Sequence, residues 1–475
     1  MTEVLTPDIC VIGAGSGGLS VAAAAAAFGV PVVLVEKGKM GGDCLNFGCV
    51  PSKAMLAAAR HVGAIASASA FGVNSEAPKI DFKRVHDHVH RVIAAIEPND
   101  SRERFGGLGV RVIDGAARFK DRRTVAVGDG IEIKARRFVV ATGSSPALPP
   151  IPGLDETPHL TNETVFDLTE CPRHLIVIGA GPIGLELAQA FRRLGAEVTV
   201  LEAATPLAMD DPECAAIVIE RLDSEGVSIR AGIKVVAVRK NEDAIEVKIE
   251  GADGFETVAG SHLLVAAGRK ANVDGLGLDA AGVAYDRRGI TVNKKLRTSN
   301  RKVYAIGDVA GALQFTHVAN YHAGLVIRNA LFRLPAKVNY DLVPWVTFTD
   351  PELAQIGLTE ADARERKIDF RVLRWPYHEN DRAQAERETH GHIKVVTTAK
   401  GRILGATIVG AHAGELIGTW SLAVSQGLNI RVMTRMVVAY PTLGEIGKRA
   451  AISYFTSGLT SPFVRRIIAF MRKLG

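Results

Sequence analysis

The feature that most constrains what this chain folds into is a pattern that occurs twice. Asp8-Ile-Cys-Val-Ile12 reads as a buried strand and runs into G-A-G-S-G-G, with Gly13, Gly15 and Gly18 in G-x-G-x-x-G register. An alanine-rich stretch, Val21 to Phe28, predicts a helix, and a second strand, Val32 to Val35, ends in Glu36. Each part has a physical task. The first glycine permits a tight turn, the second lets backbone approach a pyrophosphate, and the third lets helix and strand pack closely. The helix start offers unpaired N–H groups and partial positive charge to phosphates. The terminal acid accepts from ribose hydroxyls. Strand, glycines, helix, strand and acid in that order specify a dinucleotide-binding unit far better than the glycines alone. The alanine run also reads as low complexity, but small residues suit a helix pressed onto a sheet.

The second copy has Leu175 to Ile178, then G-A-G-P-I-G (Gly179, Gly181, Gly184), a helix to about Leu194, and Val198 to Leu201 ending in Glu202. The spacing from first glycine to acid is the same in both copies. Two different dinucleotides are therefore expected. A carboxylate at Glu202 suits the free 2′-hydroxyl of NAD and repels a 2′-phosphate, and no arginine follows it through Asp211. NAD(H) is expected in preference to NADP(H).

Between the copies, Phe138 to Gly143 reads as a strand ending on a glycine turn, and the proline-rich Pro146 to Pro152 reads as a linker. Leu263 to Arg269 repeats the strand-and-glycine pattern, and Val303 to Ile306 leads to Gly307 and Asp308. Beyond about Val338 short strands mix with helices. At 475 residues, with 47% hydrophobic and 23% charged side chains, the chain is expected to form several globular domains. The net charge is +6 with the basic residues spread along the chain, which argues against a nucleic-acid partner. No stretch of uncharged apolar residues reaches bilayer-spanning length. The acidic N-terminal flank runs straight into a strand and does not read as a signal peptide. Five cysteines without framework spacing point to a reducing cytoplasm.

Two of those cysteines stand apart. In Gly41-Gly-Asp-Cys-Leu-Asn-Phe-Gly-Cys-Val-Pro-Ser-Lys53, Cys44 and Cys49 lie where a loop enters a helix. That geometry allows the Cα separation of roughly 4.4–6.8 Å that a disulfide needs. Gly48 relieves crowding, and a helix start lowers the pKa of a nearby thiol. A zinc site needs further Cys or His ligands that the neighbourhood lacks. A buried structural pair is the remaining alternative.

Taken together these stretches resemble the class I pyridine nucleotide–disulfide oxidoreductases, which include dihydrolipoamide dehydrogenase, glutathione reductase and mercuric reductase. The resemblance continues through Ala141 to Gly143, Ala266 to Asn272, Thr298 to Asp308 and Phe348 to Glu360, and so covers nearly the whole chain. It implies an α/β fold with two Rossmann-like dinucleotide-binding domains and a C-terminal α+β dimerisation domain. The expected segments are 1–150 and 271–338 for FAD, 151–270 for NAD(P), and 339–475 for dimerisation. It also implies cofactor contacts at Gly42, Thr142, Gly143, Gly268, Gly307 and Asp308, the last on the ribityl chain of FAD. Lys53 and Glu186 look like the family's ion pair beside the flavin. Cys49 corresponds to the thiol against the flavin and Cys44 to the outer thiol that meets the acceptor. The implied function is an enzyme passing electrons from NAD(P)H through FAD to a Cys44–Cys49 disulfide, and then to a small-molecule or metal-ion acceptor. A homodimer is implied as well.

One motif departs from the pattern. Disulfide-reducing members carry H-P-T-x-x-E, whereas here Ala439-Tyr-Pro-Thr-Leu-Gly-Glu445 keeps Glu445 but puts Tyr440 in the histidine's place. An unperturbed phenol has a pKa of ~10 against ~6.5 for imidazole, so it is a poor base near neutrality. Mercuric reductases share that tyrosine, but they also end in a cysteine pair, and here no cysteine follows Cys214. The acceptor is therefore open. Dihydrolipoamide with another base, such as His317 or His322, is one alternative, and a redox-sensing protein without turnover is another. Cys10, Cys171 and Cys214 are expected to be unreactive. Finally, Pro462 to Lys473 has helical periodicity with one basic and one apolar face. It is expected either to pack on its own or the partner subunit, or to attach peripherally to anionic lipid.

Overall fold

A computed structural model describes residues 2–459 and 462–474. The chain groups into two compact units, Met1–Ala203 with Gly232–Asn339, and Ala204–Ala231 with Tyr340–Gly475. Ala204–Ala231, which lies inside the expected 151–270 segment, thus falls in the second unit.

In the first unit the opening motif forms β1 (Ile9–Ile12), α1 (Ser16–Ala27) and β2 (Val32–Glu36). These strands join β3 (Val110–Asp114), β4 (Arg137–Val140) and β8 (Val303–Ala305) in an all-parallel sheet of order β8-β4-β1-β2-β3. β1, β2, β4 and β8 are buried along almost their whole length because both faces are covered, whereas the edge strand β3 exposes Arg111 and Asp114. Cys10 and Ile12 face one core cluster with Val33, Phe138 and Val140, while Ile9 and Val11 face another with Leu34 and Val139. The strand order reverses at β1, and a crevice for ligand opens at such a switch point. The second motif builds a smaller parallel set from β5 (His174–Ile178), α3 (Pro182–Arg193) and β6 (Glu197–Glu202), with β7 (His262–Val265) on the other side of β5.

The two motifs are near copies in geometry. Gly13 and Gly179 turn at φ +105° and +109°, and a Cβ at either would lie 2.4 Å and 2.5 Å from the carbonyl oxygens of Ala141 and Ala266. A Cβ at Gly18 or Gly184 would lie 1.9 Å or 2.0 Å from the carbonyl oxygen of Gly13 or Gly179. The alanine run of α1 is a packing surface. It lies against α4 (Thr316–Ala330), and a Cβ at Gly17 would already press on Ala319 and Ile306.

Between the motifs runs α2 (Cys49–Ser67), which packs on a helix at Phe82–Ile96 and on α3. Among the described residues, the helical run Gly42–Phe71 is the one stretch whose length and mean hydropathy would let it cross a bilayer. It nevertheless carries Lys53 and Arg60, both cysteines of the pair, and two helical neighbours.

The second unit is a five-stranded antiparallel sheet. Its order is β9 (Trp345–Thr347), β10 (Glu352–Gly357), β13 (Ile403–Gly410), β12 (His392–Thr398) and β11 (Phe370–Pro376). Helices α5 (Ala413–Ser425) and α6 (Glu445–Leu459) cover it, α7 (Pro462–Met471) follows, and the helix Pro212–Ser224 packs on β10 and β13.

The close approach at the glycine turns gives a direct test. Gly18→Ala and Gly184→Ala force backbone apart and should each cost about 1–3 kcal/mol, read as a drop of several degrees in melting temperature. Gly106→Ala, with nothing within 4 Å of the added methyl, should leave the melt unchanged or slightly raised. Equal melting temperatures for all three variants would remove the packing role assigned to the third glycine of each motif.

Candidate active site

Both helix starts that face the glycine turns are bare. Gly15 and Gly181 cap α1 and α3 in extended conformation, with no side-chain cap and nothing within 4 Å of where a Cβ would be. That leaves N–H groups and open space for a phosphate. The acids close the back of each turn. The Glu36 Oε2 accepts from the Ala14 N–H at 2.5 Å, and the Glu202 Oε2 accepts from the Ala180 N–H at 2.7 Å. Gly42 lies over the first turn so closely that a Cβ there would be 2.7 Å from the Gly15 Cα. Gly143, Gly268 and Gly307 all turn at positive φ at the ends of strands that edge the two crevices. Thr142 is locked to Asn272 by two hydrogen bonds, from its Oγ1 to the Asn272 carbonyl at 2.8 Å and from the Asn272 Nδ2 to its own carbonyl at 3.0 Å.

A buried polar chain lies behind the cysteine loop. Arg269 reaches Asp43 at 3.2 Å and Asp308 at 3.9 Å, and donates from Nε to the Ser144 Oγ at 2.7 Å. Ser144 in turn donates to the Asp308 Oδ2 at 2.6 Å. Burial raises the Asp308 carboxyl, and the Ser144 hydrogen bond and Arg269 oppose that rise. Asn162 donates to Asp43 at 3.1 Å and to the Phe47 carbonyl at 3.2 Å. Sequence reasoning missed Asp43, Ser144, Asn162, Arg269 and Asn272, whose partners are all remote in the chain.

Cys44 and Cys49 are free thiols hydrogen-bonded to each other. Cys49 is the first residue of α2 and is exposed, while Cys44 is half-buried. The Cys49 Sγ also lies 3.3 Å from the Thr316 Oγ1, and Thr316 is the first residue of α4. The pair thus sits between two helix starts, each with positive partial charge. The hydrogen bond from Cys44 lowers the Cys49 thiol to about 6, against burial, with help from Thr316 and the Lys53 cation. Cys44 moves up, chiefly because its S–H donates a hydrogen bond to Cys49, with burial adding to the rise. Lys53 Nζ and Glu186 Oε2 form an ion pair at 2.8 Å, joining α2 to α3. No local pattern in the sequence marks the Thr316 contact.

The other candidates separate clearly. His322 is fully buried, its Nδ1 accepts from the Gly307 N–H at 3.2 Å, and burial lowers it to about 4. Burial thus disfavours its charged form, and its Nδ1 is already engaged by a backbone N–H. His317 stacks on Phe315 at 5.3 Å. Burial raises Cys10 to about 12 and Cys171 to about 11, and raises Cys214 further, as expected of unreactive thiols. Tyr440 and Glu445 lie in the second unit. Tyr440 is 71% exposed, and its hydroxyl donates to the Asp381 Oδ2 at 2.9 Å. That hydrogen bond, the Asp381 charge and the Glu445 charge all raise the phenol.

Residues 7–323 match the pyridine nucleotide-disulphide oxidoreductase family, and residues 343–451 match its dimerisation domain. The chain belongs to the pyridine nucleotide-disulphide oxidoreductase family. It is 36% identical over 450 residues to a mercuric reductase of Lysinibacillus sphaericus, covering 94% of this chain and 82% of that one. It is 34% identical over 451 residues to a dihydrolipoyl dehydrogenase of Geobacillus stearothermophilus, covering 94% and 95%. Among solved structures it is similar to the Cu(II) complex of RclA, an HOCl-induced flavoprotein disulfide reductase of Escherichia coli. That match has a TM-score of 0.82 and 29% identity, over 93% of this chain and 98% of that one.

The protein is accordingly a flavoprotein disulfide reductase of the mercuric reductase, lipoamide dehydrogenase and RclA type. Family members bind FAD and NAD(P)H, and the two bare helix starts, each backed by an acid, fit two dinucleotides. The dimerisation domain makes it a homodimer. As an oxidoreductase of this family it is an enzyme, which sets aside a sensing protein without turnover.

The thiol environment sets an expected titration. In the reduced protein, alkylation of Cys49 by iodoacetamide should rise with a midpoint near pH 6, below the ~8.5 of a free cysteine. Lys53→Met and Thr316→Val each remove a group that favours the thiolate, so each should move the midpoint up, whereas Thr316→Ser should hold it. A midpoint near 8.5 in the parent protein, found by mass spectrometry of the labelled peptide, would refute this electrostatic account.

Proposed function

We propose that this enzyme takes electrons from NADH and delivers them, through the Cys44–Cys49 pair, to soft metal ions in preference to disulfide substrates. The observation that carries this is Tyr440, whose phenol is raised by Asp381 and Glu445 at the position where disulfide-reducing relatives keep a histidine. Bound FAD supplies the relay that accepts a hydride and passes on its two electrons.

The chain's own residues do the rest. Opening the sulfur–sulfur bond takes two electrons and one proton, together the equivalent of the hydride from NADH, and leaves a thiol at Cys44 and a thiolate at Cys49, favoured by the Cys44 hydrogen bond, Thr316 and Lys53. With FAD bound, Cys49 would be the thiol toward the flavin and Cys44 the one toward the acceptor. Lys53, paired with Glu186, would hold positive charge near the flavin, and Asp308 would hold the ribityl hydroxyls. Thiol–disulfide exchange needs a thiolate to attack and a proton for the sulfur that leaves. A soft metal ion bound by thiolate needs no such proton. A phenol pushed above its ordinary value is unsuited to the first task and irrelevant to the second. A mercuric reductase and a Cu(II) complex of RclA are among the similar proteins, beside a dihydrolipoyl dehydrogenase. The setting we assign is the cytoplasm, where the pair is kept cycling.

Turnover separates the alternatives. NADH-driven reduction of Hg(II) or Cu(II) should exceed reduction of oxidised lipoamide, with the latter about three orders of magnitude below a histidine enzyme. Tyr440→His should raise lipoamide turnover and leave metal reduction nearly unchanged. Rapid lipoamide turnover by the parent protein would overturn this choice of acceptor.

Nucleotide choice follows from Glu202, which has one carboxylate oxygen on the Ala180 N–H and no arginine nearby in sequence. Stopped-flow reduction should be faster with NADH than with NADPH, and Glu202→Ala should narrow the gap. Faster reduction by NADPH would reverse the assignment.

A further inference from the structure

Helix α7 divides cleanly by side-chain chemistry. At the helical period, Phe463, Ile467, Phe470, Met471 and Leu474 share one arc, while Arg465, Arg466, Arg472 and Lys473 share the opposite one. Helical hydrogen bonding carries on past Met471, with the Arg472 N–H on the Ile468 carbonyl and Lys473 on Phe470. The apolar arc faces outward, since Phe463, Phe470 and Leu474 are 71%, 63% and 73% exposed. A contiguous apolar surface rimmed by charge marks an interaction site.

Charge says what kind. The chain has 57 basic and 51 acidic side chains, and its last acid is Glu445. The residues after Glu445 hold six basic side chains, Lys448, Arg449 and the four of the tail, and no acid. The chain up to Glu445 therefore carries 51 of each sign and is balanced, so the even spread of basic residues expected from the sequence holds only that far. The whole excess of +6 lies in the C-terminal segment. The match to the family's dimerisation domain ends at residue 451, before α7 begins. The tail thus lies outside the stretch that matches the dimerisation domain.

We infer that α7 docks the homodimer onto a bilayer surface rich in anionic phospholipid. The helix lies in the interfacial plane with its phenylalanines among the acyl chains and its basic arc at the headgroups, the arginine and lysine stems reaching up to them. This docking is independent of which acceptor the thiols reduce.

Co-sedimentation of the full-length holoenzyme with vesicles tests the docking. Vesicles of phosphatidylcholine with phosphatidylglycerol should bind it at least about tenfold more tightly than phosphatidylcholine alone, and added salt should weaken the binding. Arg465→Glu with Arg466→Glu should lower affinity at least about tenfold. Phe463→Ser with Phe470→Ser should also lower it, with the dimer and soluble-acceptor turnover intact in both. Equal binding to both vesicle types would overturn the inference. So would dissociation of the dimer by either variant in sedimentation velocity, which would give the apolar arc to the partner subunit.

Discussion

The first unit depends on how closely two glycines approach each other at the end of a strand. With the Gly13 carbonyl 1.9 Å from the Cβ position of Gly18, and the Gly179 carbonyl 2.0 Å from that of Gly184, the helix starts directly over the strand end. Only then do the N–H groups of Gly15 and its neighbours point into the crevice where the strand order reverses. The acids complete the turn by holding the N–H of Ala14 or Ala180. Much of the remaining architecture follows. The small face of α1 lets α4 pack against it, which brings Thr316 to Cys49. α3 receives α2, which brings Glu186 to Lys53.

Why this much was legible in the sequence, and no more, has a physical cause. Strands buried on both faces, glycines at fixed offsets and a terminal acid are local patterns, each with its own steric reason to be where it is. The cysteine pair at a loop entering a helix is local too, and the structure puts Cys49 at the first position of α2. Thr316, Arg269, Asn162 and Asn272 act on residues more than a hundred positions away. No periodicity marks them. The family resemblance supplied the pairing of Lys53 with Glu186, which spacing alone does not give. His322 shows the opposite case. Its place near the flavin segment suggested chemistry, but a backbone N–H from Gly307 already occupies its ring nitrogen, in surroundings that disfavour charge.

The second unit contains a cluster that no motif announced. Lys394, 4% exposed, reaches Asp211 at 2.7 Å and Glu213 and Glu360 at 3.1 Å. Burial works against its charge, but the three carboxylates outweigh that and raise its pKa. Arg374 does most to hold Glu213 down, at about 2. Asp211 is also the N-cap of the helix Pro212–Ser224, accepting from the Glu213 N–H. The ions therefore fix that helix to the sheet at its start. Removing one member of such a buried group leaves the others uncompensated, which is why the arrangement is strongly constrained even where its net contribution to stability is small. Cys214 sits beside it against His392, and burial together with the Asp211 charge keeps the thiol protonated.

The electrostatics of the redox pair and of Tyr440 run in opposite directions, and that contrast narrows the chemistry. At the thiols, the Cys44 hydrogen bond, then the Thr316 hydroxyl and the Lys53 ammonium, favour the negative form of Cys49 against burial. At Tyr440, two carboxylates favour the neutral phenol, and one of them accepts its proton in a hydrogen bond. An enzyme that exchanged disulfides near neutrality would need the second group to take up and return protons within that range. Here the thiolate is available without a base, because its own surroundings ionise it. A protein arranged this way has a nucleophile and ligand that is ready in advance. The Tyr440 hydroxyl, in the second unit, donates a hydrogen bond to Asp381 and is unsuited to removing a proton near neutrality. That contrast is the physical ground for the proposed preference for an acceptor that binds sulfur directly and needs no proton.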